Sequence, residues 1–136
     1  MITAVDTNVL VDVFSADRAY GERSRDVLRT CIGEGSLIAS DVVWTEVATL
    51  FEQDPGSAEA ALDTLGVLFV PSTRESALVA AGFWQAYRQR GGAGRRVAAD
   101  FIVGAHALTS ADRLLTRDRG FYRDYFDELV VLDPSG

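Results

Sequence analysis

The sequence predicts an α/β protein, a three-layer sandwich around a mostly parallel central sheet. Two observations predict it: short apolar runs rich in branched residues alternate with amphipathic helical patterns from end to end, and no internal repeat or low-complexity segment interrupts them. A third bounds the size. With 136 residues, 48% hydrophobic and 24% charged, residues 1–136 are expected to form a single domain. At that length roughly two thirds of the unfolded surface is buried on folding, enough for a core without disulfide or zinc staples.

The elements follow in order. Ile2 to Val5 reads as the first strand, and Val27, Leu28, Cys31 and Ile32 as the stripe of a helix ended by Gly33 and Gly35. Leu37 to Ala39 is a second strand, followed by a helical face of Val43, Glu46, Val47 and Leu50. After the third strand, Val67 to Val70, the sequence Ser72-Thr73-Arg74-Glu75 reads as a capping box for a helix carrying Val79, Phe83, Ala86 and Tyr87. Gly91-Gly92-Ala93-Gly94 is a loop, and Val97, Phe101, Gly104 and Leu108 mark the next helix. Leu114 to Leu115 and Leu129 to Leu132 supply the last two strands.

Composition excludes several chemistries. Cys31 and His106 are the only residues of their kinds, which removes an internal disulfide, CxxC zinc sites and the HExxH class. All 13 basic residues are arginine, so Schiff-base and P-loop mechanisms, which need lysine, are excluded. The net charge of −7 argues against coating nucleic acid by bulk charge, though not against a local arginine patch. The start of the chain lacks a basic segment leading into a long apolar run, and no run reaches the ~18 residues of a membrane span, so a cytoplasmic protein is expected.

In such a fold the ligand site lies at the carboxyl ends of the strands. Asp6 follows the first strand directly and Asp118 follows the fourth closely; Asp41, after the second, reads as an N-cap. Glu46 and Asp100 stand out because each places a carboxylate in an apolar helical stripe. Taken singly, each suits an ion pair with arginine, or for Asp100 a place in the first helical turn. Taken together, four acids converging on one crevice would repel unless a cation bound among them, and hard oxygen ligands suit Mg²⁺ or Mn²⁺. Such clusters chiefly serve phosphoryl chemistry.

The order Asp6-Thr7-Asn8-Val9-Leu10, Thr45-Glu46-Val47, Asp100-Phe101-Ile102-Val103-Gly104-Ala105 and Leu114-Leu115-Thr116-Arg117-Asp118 closely resembles the PIN-domain ribonucleases, and more narrowly the VapC toxins of type II toxin–antitoxin modules. The resemblance implies a divalent-metal-dependent endoribonuclease that hydrolyses RNA phosphodiester bonds, with Asp6, Glu46, Asp100 and Asp118 as catalytic metal ligands and Asn8 and Thr116 supporting them. It also implies a cognate VapB-like antitoxin and a homodimer. The alternatives are a PIN-like RNA- or protein-binding module that does not cut, and an acid-metal phosphohydrolase. A haloacid-dehalogenase-type site fails on Asn8, where a second acid is needed, and a phospho-receiver fails on the absent lysine.

Arg95 and Arg96, beside the glycine loop and ahead of Asp100, are expected to contact RNA phosphates. Arg113, Arg117, Arg119 and Arg123 surround Asp118, and some of them are expected to offset the acidic site when no metal is bound. Phe83, Trp84, Tyr87, Phe121, Tyr122, Tyr125 and Phe126 read as core or partner surface before RNA-stacking platforms. Cys31 and His106 read as structural, and Asp112 as a turn or cap residue.

Overall fold

The computed structural model describes residues 1–92 and 96–136. It begins with β1 (Ile2–Val5), in which Thr3, Ala4 and Val5 are buried in succession. A strand buried on both faces is what helices covering a parallel sheet produce. The chain continues through α1 (Thr7–Phe14), α2 (Gly21–Glu34), β2 (Ser36–Ala39), α3 (Asp41–Ala48), α4 (Ser57–Thr64), β3 (Val67–Phe69), α5 (Arg74–Gln89), α6 (Ala98–Ser110), β4 (Arg113–Leu115), α7 (Arg119–Tyr125) and β5 (Val131–Leu132). The five strands form one sheet in the order β3-β2-β1-β4-β5, and every pairing is parallel. The α/β architecture is therefore as the sequence predicts, and all five strand positions agree within a residue or two.

The strand order matters more than the strand count. From β1 the chain builds outward through β2 to β3, then returns to the other side of β1 for β4 and β5. The order reverses between β1 and β4, which opens a crevice at their carboxyl ends. Val5 lies opposite Leu115 there, so Asp6 and Thr116 leave the sheet side by side.

Local chemistry sets the helix ends, and three differ from expectation. The N-cap of α3 is Ser40, whose hydroxyl accepts the Val43 N–H at 3.2 Å, rather than Asp41. Asp41 is thereby free to accept the Ser72 N–H at 2.8 Å, joining the connections after β2 and β3. With its N–H so engaged, Ser72 belongs to the turn, and α5 is capped one residue later. The Thr73 hydroxyl accepts the Ser76 N–H at 3.0 Å and the Ser76 hydroxyl accepts the Thr73 N–H at 2.8 Å, a capping box with serine in the place expected for Glu75. Helix α2 runs through Gly33 and stops at Gly35, where a Cβ would lie 1.8 Å from the Met1 carbonyl oxygen. Close backbone approach therefore fixes glycine at that position.

Most of the aromatic residues form core. Phe101, Phe121, Tyr122 and Phe126 are buried and in ring contact, Phe83 stacks on Phe126 at 4.3 Å, and Tyr87 touches Phe101 and Tyr125. His106 is buried with Nε2 2.7 Å from the Val70 carbonyl oxygen, and burial pushes its imidazole below the usual range, so it acts as a neutral tie between α6 and the end of β3. Asp112 accepts the Ile2 N–H at 2.6 Å at the opposite end of the sheet. Cys31 is fully buried.

One buried ion pair orients the turn after β4. Asp12 on α1 accepts Arg117 Nε at 2.7 Å and Nη2 at 3.0 Å, with the Ser24 hydroxyl of α2 donating to the same carboxylate at 2.9 Å. The Arg117 guanidinium also lies 4.1 Å from the Tyr20 ring centre. The two partners differ in access to water, since the Asp12 side chain is 3% exposed and that of Arg117 is 28% exposed. Removing Arg117 strands a buried charge, at a cost of roughly 3–5 kcal/mol, whereas Arg117 left alone can turn to solvent. Denaturant unfolding should therefore rank Arg117→Ala as less stable than Asp12→Ala, with the double variant Asp12→Asn/Arg117→Ala more stable than Arg117→Ala alone. The opposite ranking would show that the pair does not hold this turn.

Candidate active site

The crevice between β1 and β4 is organised by one hydroxyl. Thr116 Oγ1 donates to Asp6 Oδ2 at 2.8 Å and accepts both the Asp118 N–H at 3.0 Å and Asn8 Nδ2 at 3.3 Å, which uses its full hydrogen-bonding capacity. Asn8 Nδ2 lies 3.4 Å from Asp6 Oδ2 as well, and Asn8 Oδ1 accepts the Arg117 N–H at 3.1 Å. Asp6 Oδ1 accepts the Thr7 N–H at 2.7 Å and so caps α1. Asp6, Asn8, Thr116 and Asp118 thus form one connected network across two strand ends.

The remaining acids approach from helices. Asp6, Glu46, Asp100 and Asp118 all line a single cavity of about 320 Å³, with Asn8, Arg117 and Tyr122 among its other walls. Asp100 sits in the first turn of α6 and accepts the Val97 N–H at 3.1 Å, the position where a helix favours an acid. Glu46 departs from expectation: Val43 and Val47 are buried, but Glu46 and Leu50 are exposed, so the carboxylate borders the apolar stripe of α3 and is not buried within it. Val43 and Val47 are the buried residues of this short helix, and Glu46 reaches sideways to accept the Thr7 hydroxyl at 2.7 Å. Thr7 is a contact that no hydrophobic period signals.

Arg96 is the unexpected member. Its guanidinium forms a two-pronged pair with Asp118, lies 4.0 Å from Asp100 Oδ1, and rests 4.2 Å from the Phe121 ring centre. The sequence suggested a phosphate path for this residue, whereas in the structure it faces two acids of the cavity. Arg95, its expected companion, lies outside the described residues. The cluster expected to offset the acids is engaged elsewhere: Arg113 pairs with Glu34, Arg117 with Asp12 and Arg119 with Asp133, while Arg123 is exposed. Spacing along the chain places these arginines near Asp118, but the ion pairs of Arg113, Arg117 and Arg119 are made with other acids, although Arg117 still lines the cavity.

Charge in the cavity is incompletely balanced. Burial pushes the Asp6 carboxyl up to about 6, with the charges of Glu46 and Asp118 adding to the effect and the hydrogen bonds from Thr116 and Thr7 opposing it. Hydrogen bonding to Asp118 raises the Arg96 guanidinium further above its usual value. Among the described residues no three carboxylates are grouped as they would be around one ion, and Arg96 carries the positive charge on the side of Asp100 and Asp118. The donor chemistry nonetheless fits a hard divalent cation, because the acids facing the cavity offer oxygen alone and Asp6 is destabilised as a bare carboxylate.

A model of the PIN domain family matches residues 3–126. A comparison with curated protein sequences finds no match. Among solved structures, VapBC2 from Rickettsia felis bound to a DNA fragment from its promoter superposes with a TM-score of 0.77 at 16% identity, covering 98% of each chain. VapBC-1 from nontypeable Haemophilus influenzae gives 0.77 at 16% identity over 100% of both chains. Mycobacterium tuberculosis VapC20, described as a sarcin–ricin loop cleaving toxin, gives 0.61 at 16% identity over 94% of this chain and 98% of the other. At these identities the likeness is one of fold.

The raised Asp6 carboxyl has a signed consequence for stability. Its value of about 6 in the folded protein lies above the ordinary 3.8, so its contribution is fully present below pH 3.8 and is lost as pH rises through 6. At about 1.4 kcal/mol per pKa unit the loss is roughly 1–3 kcal/mol. Asparagine at this position keeps the helix cap and removes the charge. Metal-free Asp6→Asn should melt several degrees above the wild type at pH 7.5, with the gap closing towards pH 4. A variant that melts lower at pH 7.5 would show that the carboxylate is not destabilising.

Proposed function

The chain belongs to the PIN-domain family, and on that premise we propose that it is a divalent-metal-dependent endoribonuclease acting as the toxin of a VapBC-type pair. The observation that carries the reading is the presence of Asp6, Glu46, Asp100 and Asp118 on one cavity at the point where strand order reverses. These four would hold the metal, Mg²⁺ or Mn²⁺. Bound there, such an ion neutralises phosphate oxygens and activates water for attack on phosphorus.

The chain's own residues prepare that chemistry. Thr116 and Asn8 hold the Asp6 carboxylate by its Oδ2 edge, so ionised Asp6 keeps one orientation. Thr7 restrains Glu46, and the N-terminal turn of α6 restrains Asp100. Arg96 offsets Asp118 and Asp100 with its guanidinium, and Arg96 and Arg95 are the residues that would meet an RNA phosphate.

The solved VapBC structures from Rickettsia felis and Haemophilus influenzae contain toxin and antitoxin together. By analogy, this chain takes a VapB-like antitoxin as partner and pairs with a second copy of itself. Arg96 supports a physical mode of inhibition, since a guanidinium already fits against Asp118 and Asp100, and one supplied by an antitoxin would do the same. No helix among the described residues is long and apolar enough to cross a membrane, and a cytoplasmic site of action belongs to the same proposal.

Purified protein supplied with Mn²⁺ should cleave RNA, and Asp100→Asn, folded by circular dichroism, should lose at least about a hundredfold in rate. Expression of the chain alone should arrest growth, Asp6→Asn should not, and co-expression of the neighbouring reading frame should restore growth. Cleavage by Asp100→Asn at the wild-type rate would remove the metal-site reading. RNA binding without cleavage by the wild type would instead favour a PIN-like binding module.

A further inference from the structure

A second cleft, of about 440 Å³, adjoins the acidic cavity, and Trp84, Arg88, Arg96 and Val97 help to line it. Arg96 links the two spaces, because it lines this cleft and its guanidinium meets Asp118 and Asp100, which line the cavity. In a chain with 20 acidic and 13 basic residues, none of the described residues lining the cleft is acidic. Its charge is therefore opposite to that of the cavity beside it and of the chain as a whole.

The shape of the lining is equally specific. Trp84 is half-buried on α5, and its ring lies 5.8 Å from that of Phe101 at an interplanar angle of 15°, so the core supports one face of the indole. Arg88, one helical turn on, is exposed and makes no ion pair among the described residues. The Gly92 backbone lies against the Tyr87 ring, where a Cβ would come within 2.3 Å of a ring carbon, so any larger residue would displace that wall. Val97 adds an apolar side chain that is 58% exposed. A supported indole and a free guanidinium, with no carboxylate, suit a flat ring attached to an anion.

Resting on the nuclease reading above, we propose that this cleft holds a nucleotide of single-stranded RNA adjacent to the bond cut in the acidic cavity, its base against Trp84 and its phosphate against Arg88. Stacking of this kind tolerates every base, so the cleft sets the need for an unpaired strand more than the sequence that is cut. Arg96 then marks the passage from the stacked nucleotide to the scissile phosphate.

The chain has two tryptophans, so Trp44→Phe leaves Trp84 as the sole indole reporter. In a Trp44→Phe/Asp6→Asn protein, which cannot cleave, titration with a single-stranded RNA decamer should quench Trp84 emission, and a duplex of the same sequence should quench it far less. Binding itself is followed independently by anisotropy of end-labelled RNA. In the cleavage-competent protein, Trp84→Leu and the exposed Arg88→Ala should each raise KM about tenfold and lower kcat much less. Arg88→Ala guards against the chance that Trp84→Leu disturbs the packing on Phe101. Decamer binding with unchanged Trp84 emission, or an unchanged KM in both variants, overturns the cleft while leaving the nuclease reading intact. Quenching by the decamer with no cleavage by the wild type would keep the cleft and remove the nuclease.

Discussion

The pairing of β1 with β4 is the constraint from which the candidate site follows. These strands are 110 residues apart at Thr3 and Arg113, yet they lie side by side in parallel register, and the order of the sheet reverses between them. Val5 opposite Leu115 brings Asp6 and Thr116 to one point, and a single threonine hydroxyl then binds Asp6, Asn8 and the Asp118 backbone. A slip of one residue would turn every side chain of the strand to the other face and separate the network. The buried runs Thr3–Val5 and Leu114–Thr116 resist such a slip because both faces of each strand are already filled.

What the sequence made legible was governed by how locally each feature is determined. Strand positions were readable because consecutive buried residues leave a dense apolar run, as at Leu37–Ala39. Helices α1, α4 and α7, of eight, eight and seven residues, left little periodic signal; in α1 the buried apolar residues Val9 and Leu10 are adjacent. The caps of α3 and α5 were displaced by one residue because a long-range bond, Asp41 to Ser72, decided which side chain was free to cap. Of the site, the positions of the acids were legible from strand ends and helical faces. Glu46 is exposed and is held at the cavity by Thr7, not by burial in the apolar stripe that its spacing predicts.

The arginines show the same limit more sharply. Among the described residues, Arg88, Arg90, Arg96, Arg113 and Arg117 cluster in sequence near Asp100 and Asp118, but their destinations diverge. Arg117 turns under α1 to Asp12, Arg113 crosses to Thr3 and Glu34, and Arg90 reaches the Asp124 carbonyl and the Tyr125 ring. Arg96 alone among the described residues pairs with acids of the cavity. A guanidinium is well suited to these tasks, since its planar fork can bind a carboxylate and stack on an aromatic ring at once, as Arg96 does with Asp118 and Phe121 and Arg117 does with Asp12 and Tyr20.

Arg96 also connects stability with the proposed chemistry. Burial, with a smaller contribution from the neighbouring acids Glu46 and Asp118, pushes Asp6 up to about 6, and a folded protein must offset that cost in some way. Here the offset is partial and comes from the chain itself: a guanidinium satisfies Asp118, approaches Asp100 and leaves Asp6 uncompensated. A cation entering the cavity would relieve Asp6, which Arg96 does not reach, and would compete with Arg96 for the other two acids. A metal held by these acids would therefore compete with Arg96, and by the same linkage any guanidinium presented to Asp100 and Asp118 would weaken such binding by the amount that the metal would weaken its own hold. An antitoxin that inserts an arginine would need only to strengthen an arrangement the chain already adopts.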